Sequence, residues 1–133
     1  MEFSSLVLME KDSQTGFMTK ELGSFEVNEG ALYVVKLFAL DGIVNLYFDT
    51  NKDVEEWEYS AIYDLFNTEV FKNQGFSIEE DLEEYNPTFI LKFGYVSDHL
   101  KMKEILDKSV QLISDEMDIV LKAIVGKEQE YSE

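Results

Sequence analysis

The fold turns on "ALYVVKLFALDGIVNLYFD", Ala31 to Asp49, where two apolar runs rich in aromatic and β-branched residues meet at Asp41-Gly42. A two-residue hairpin turn of this kind needs positive φ at both central positions, which Asp and Gly accept at little cost. The segment therefore predicts a hairpin, and its register follows. With Leu40 opposite Ile43, the pairs Ala39/Val44, Leu37/Leu46 and Val35/Phe48 share one face, and Phe38/Asn45 and Lys36/Tyr47 share the other. The first face is wholly apolar and is expected in the core. The second mixes Lys, Asn, Tyr and Phe, so it is expected to be half-covered or functional.

Upstream, "FSSLVLME" (Phe3 to Glu10), the polar turn "KDSQTG" and "FMTKELGSFEV" (Phe17 to Val27) read as a first hairpin, with the second strand broken or bulged near Gly23. Downstream, "DTNKDVEEWE" (Asp49 to Glu58) raises the question of a calcium loop. Asp49, Asn51 and Asp53 stand at positions 1, 3 and 5 of an EF-hand-type pattern, but Val54 replaces the turn Gly and Ser60 the closing Glu. These three residues are thus only weak metal candidates. The simpler reading is a helix start: Asp53 and Glu56 have capping-box spacing, and Val54, Trp57, Ala61, Ile62, Leu65 and Phe66 recur on one face. Trp57 is expected in the core and the helix to fade between Phe71 and Gly75. Tyr59 and Tyr63, one turn apart on the other side, are the surface candidates.

"SIEEDLEEYNP" from Ser77 fits two patterns. As a strand it would line Ser77, Glu79, Asp81 and Glu83 along an acidic edge; as a helix, Ser77 caps it and Ile78, Leu82 and Tyr85 form a stripe. Glu and Asp are poor strand residues, so a short helix ending near Asn86-Pro87 is expected. "TFILKFGYV" alternates as a strand with Phe89, Leu91, Phe93 and Tyr95 inward and Thr88, Lys92 and Gly94 outward. A long helix then runs from about Asp98 to Val125, capped by Ser97 or Asp98 and stopped by Gly126. Leu106, Val110, Ile113, Met117, Val120 and Ile124 lie within its wide apolar stripe. Either the stripe sinks into the sheet, or part of it meets a second copy and makes a homodimer.

The predicted architecture is one α+β domain over residues 1–126, with a frayed acidic tail at 127–133. It has a mainly antiparallel sheet of about five or six strands, a central helix and a long C-terminal helix packed on one face. A chain of 133 residues can bury a core without staples, and it has no Cys for disulfides or thiolate metal sites. No basic, long-apolar leader and no membrane-spanning run is present, so a cytoplasmic protein is expected. Acidic residues number 28 against 11 lysines, for a net charge of −17 with no Arg. Such a field disfavours nucleic acid and anionic membranes as partners. The glycines are scattered singly, without a phosphate-binding loop, and a lone His disfavours zinc, copper or haem. Ser97, Asp98 and His99 are contiguous and cannot converge as a catalytic triad.

No cofactor and no catalytic site is predicted. The expected function is a non-catalytic interaction module that self-associates through its last helix and offers an acidic, tyrosine-bearing surface to a basic or apolar protein partner. Two alternatives stand beside it. One is a small-molecule or divalent-cation binding domain that uses the mixed hairpin face, and the other is an acidic decoy imitating nucleic acid.

Overall fold

The computed structural model describes residues 4–132; residues 1–3 and 133, including Phe3 of the first predicted strand, lie outside the described residues. β1 (Ser4–Lys11) and β2 (Met18–Val27) form the first hairpin. Its turn is held by Asp12, whose carboxylate accepts from Gln14 N at 2.9 Å and from Thr15 Oγ1 at 3.2 Å. Register shifts at Leu8/Met9, beside Gly23, and at Glu10/Lys11 place bulges in β2.

A 3-10 turn (Glu29–Tyr33), unforeseen in the sequence, carries the chain across to β3 (Val34–Leu40), which pairs with β1 in parallel. Asn28 pins this crossing to the last helix. Its backbone N donates to Asp107 Oδ1 at 2.8 Å, its side-chain amide donates to Asp107 O at 3.0 Å, and its Oδ1 accepts from Gly30 N. A Cβ on Gly30 would stand 2.3 Å from the Val110 carbonyl oxygen, so only Gly lets the two backbones approach this closely.

Asp41 and Gly42 hold φ of +51° and +81°, closing β3 onto β4 (Ile43–Asp49) in the expected turn. The register matches from Leu40/Ile43 to Lys36/Tyr47. It then departs from expectation: Val34, not Val35, pairs with Phe48, and Val35 is the extra residue of a bulge, 55 % exposed.

α1 (Glu56–Leu65) starts two residues later than its Asp53–Glu56 pattern suggests. The preceding turn consumes the residues before it: Asp49 Oδ1 accepts from Asn51 N at 2.8 Å, Thr50 Oγ1 donates to Lys52 O, and Asp53 accepts from Asn86 Nδ2. Glu55 is the cap instead, and its backbone N donates to Glu58 Oε1 at 2.9 Å. Trp57, expected in the core, is half-buried and donates Nε1 to Glu55 Oε2. The helix breaks at Phe66 and resumes as α2 (Glu69–Asn73), because Phe66 and Phe71 both turn into an aromatic cluster with Phe48 and Phe89.

The expected acidic helix at 77–85 is β5 (Ser77–Asp81), paired with β6 (Thr88–Gly94) from Ser77/Lys92 to Asp81/Thr88. Phe76, buried edge-to-face against Phe93 at 5.4 Å, delivers the chain beside the free edge of β6. There the ladder hydrogen bonds outweigh the weak strand propensity of Glu and Asp. The six strands order β2-β1-β3-β4-β6-β5.

α3 (His99–Ala123) is capped by Asp98, which accepts from Lys101 N, and is followed by Gly126 at φ +82°. At roughly 1.5 Å per residue its 25 residues span roughly 37 Å. Leu106, Val110, Ile113, Met117, Val120 and Ile124 are all buried within this one chain. Of the two readings of the stripe, these residues follow the one that sinks it into the fold: α3 packs on β2, the 3-10 turn and α1, so more than one element covers its width. Part of the tail expected to fray, Glu128–Tyr131, is helical. α4 (Glu128–Tyr131) lies on α1, with Tyr131 Oη donating to Asp64 Oδ2 at 2.5 Å.

Candidate functional site

Strand alternation divides the sheet into two unlike faces. Leu8, Phe25, Ala39, Leu46, Phe48, Phe89 and Leu91 point to one side and are buried there beneath the helices. Val7, Met9 and Lys11 of β1, Lys36, Phe38 and Leu40 of β3, Ile43, Asn45 and Tyr47 of β4, and Ile90 and Lys92 of β6 point to the other. That side is left open, with Val7 45 % and Ile43 42 % exposed.

At its centre Phe38 is only 4 % exposed. Lysines help to shield it. Lys11 Nζ stands 4.6 Å above the Phe38 ring, Lys36 Nζ stands 4.8 Å above the Tyr47 ring, and the two rings are 6.0 Å apart. The alkyl stems cover apolar surface while the ammonium groups lie over the electron-rich ring faces, an attraction of about 0.5–1 kcal/mol each at exposed sites. Among the described residues neither Lys11 nor Lys36 has a carboxylate partner. Lys92 has one, Glu79 at 2.6 Å. In a chain of net charge −17 the open face thus holds unneutralised positive charge set into an apolar surface.

At the corner where β3 bulges, a cleft of about 280 Å³ opens between Val35, Lys36, Tyr47 and Asp49 on one side and Glu84, Tyr85, Asn86 and Thr88 on the other. Val35 and Tyr85 are exposed, and Asn86 Oδ1 is buried with no hydrogen-bond partner among the described residues.

The residues singled out in the sequence are otherwise engaged. Tyr63 Oη donates to Asp81 O at 2.8 Å and accepts from Thr88 N at 2.8 Å, a brace that buries Thr88 against its expected outward position. Burial raises the Tyr63 phenol well above its ordinary range. Tyr59 donates to Leu82 O at 3.2 Å and meets Tyr63 edge-to-face at 4.9 Å. Both tyrosines tie α1 to the β5–β6 connection and are half-buried. Asp49, Asn51 and Asp53 are spent on the turn before α1, and among the described residues no group of three or more His, Asp or Glu is placed to hold a metal ion. His99 stacks on Phe25 at 4.6 Å, away from Ser97 and Asp98 chemistry. The Tyr131 phenol is pushed up to about 12 by its hydrogen bond to Asp64.

The mixed face of the Asp41-Gly42 hairpin was visible in the sequence; its neighbours Lys11, Met9 and Ile90, and Asn86 in the cleft, were not. Only the parallel β1/β3 pairing brings Lys11 to Phe38, and no local pattern announces a pairing across the 3-10 turn.

No helix among the described residues is long and apolar enough to cross a membrane. The chain belongs to a family of unknown function, DUF6762, whose pattern matches residues 1–132. No curated protein and no solved structure matches it.

Proposed function

We propose that the protein is a non-catalytic interaction module whose open sheet face docks a protein segment that presents carboxylates among apolar side chains. The observation that carries this reading is the pair of lysine ammonium groups held over Phe38 and Tyr47 without carboxylate partners among the described residues, in the middle of an apolar sheet face. An apolar surface of this kind marks an interaction site, and its charge selects the opposite sign in the partner. The burial of the α3 stripe moves the docking surface away from the C-terminal helix. It also changes the partner's expected chemistry from basic to acidic, since Lys11 and Lys36, two lysines without carboxylate partners among the described residues, are set into the apolar surface of this face. A second copy of this highly acidic chain meets that description too.

The test is capture of a partner by wild-type protein and by Lys36→Glu and Ile43→Asp variants, followed by binding of the identified partner in purified form. Both variants are expected to weaken it at least about tenfold, and Ile119→Asp on the exposed side of α3 is expected to leave it unchanged. Light scattering on the isolated chain distinguishes a second copy from a foreign partner. Binding lost on Ile119→Asp and kept by both face variants would overturn the assignment.

A further inference from the structure

We infer that the cleft at the β3 bulge is a binding site for a small zwitterion, a free α-amino acid with an apolar side chain. The cleft combines three demands that no single neutral or singly charged ligand meets. Lys36 brings an ammonium group, fixed over Tyr47 and without a carboxylate partner among the described residues, which calls for an anion. Glu84, which has no cationic partner among the described residues, lines the same cleft beside Asp49 and calls for a cation, an ammonium.

The apolar part has its own place. Val35, turned outward by the bulge, and the rings of Tyr47 and Tyr85 supply hydrophobic wall. A volume of about 280 Å³ falls just below the roughly 300 Å³ at which pockets for drug-sized ligands begin, so the ligand is small. A carboxylate and an ammonium on one carbon, with a hydrophobic side chain, place all three chemistries within that space. The bulge itself gains a purpose here: without the extra residue, Val35 would point into the core as its alternation demands, and the cleft would lose one wall.

The full chain, labelled with nitrogen-15, is titrated with L-phenylalanine, with 3-phenylpropionate, which lacks the ammonium, and with phenethylamine, which lacks the carboxylate. L-Phenylalanine is expected to shift the amides of Val35, Lys36, Asp49 and Asn86, and each truncated analogue to bind at least about tenfold more weakly. Lys36→Met is expected to erase the preference for L-phenylalanine over phenethylamine, and Glu84→Gln the preference over 3-phenylpropionate. Equal binding of all three compounds to wild-type protein, shifts confined to other residues, or no shift at all overturns the site. Because the analogue series is read on the wild-type chain, misfolding of a variant cannot mask the result. Ile43→Asp, at the far end of the hairpin, separates this site from protein docking: it is expected to weaken the latter at least about tenfold and spare the former.

Discussion

The two faces of one sheet solve the same alternation problem in opposite ways. Beneath the helices, Val44, Leu46, Phe48, Phe89 and Leu91 are sealed by other apolar side chains, and Phe48 lies within 6.1 Å of three further phenylalanine rings. On the open side Phe38 reaches nearly the same burial under the side chains around it, with a lysine above its ring. The first solution is rigid and permanent; the second can be exchanged, because a flexible stem can swing away when a better partner arrives. Equal burial therefore does not mean equal energetic weight, and substitution separates the two.

The largest contrast is expected between Phe48→Ala and Ile43→Ala. Phe48 is fully buried, and its truncation opens a cavity worth about 3–5 kcal/mol in urea unfolding. Ile43 is 42 % exposed, so its truncation is expected to cost less than about 1 kcal/mol. Comparable losses would show that the open face is as much core as the other. Next comes Gly30→Ala, on the covered side, where a methyl group meets the Val110 carbonyl at 2.3 Å. Separating the crossover from α3 is expected to cost about 1–3 kcal/mol. Unchanged stability would mean that the covered side has slack.

Tyr63→Phe follows, since it leaves Thr88 N without its acceptor and Asp81 O without a donor from α1; a loss of about 1–3 kcal/mol is expected. The smallest effect is electrostatic and lies on α3. Burial, with Asp115 beside it, raises the Glu116 carboxyl above the ordinary 4.5. A folded-state value above the unfolded one means that the folded protein holds this proton more tightly. The resulting stabilisation is full below pH 4.5 and is lost as pH climbs through the raised value. Glu116→Gln is expected to unfold at slightly higher urea than wild type near neutral pH, with the difference vanishing towards pH 4. A difference that grows in acid would reverse the sign and remove the burial argument.

Much of the covered face was legible because its signals are local. Asp41-Gly42 states its own turn type, the residues from Phe89 to Phe93 state their inward and outward sides, and the α3 stripe states its period. The open face was legible only where one hairpin supplies both partners, as for Phe38/Asn45 and Lys36/Tyr47. Lys11 reaches it through a parallel pairing between strands separated by the whole of β2 and a 3-10 turn, which carries no contiguous signature. β5 was misread because Glu and Asp were weighed as an isolated peptide would weigh them, whereas at a sheet edge their carboxylates stay in water. The stripe on α3 was allotted partly to a partner for the opposite reason: the sequence shows its width, but not how many elements pack around it.

β5 closes one side of the sheet with Glu79, Glu80 and Asp81 in consecutive positions. A strand approaching from another molecule to extend that ladder would bring its backbone into a row of like charges whenever it carried acids of its own. Copies of this chain therefore repel when two of them meet through this edge. That barrier is electrostatic and not steric, so it weakens as added salt screens the row, and pairing along this rim gains from ionic strength.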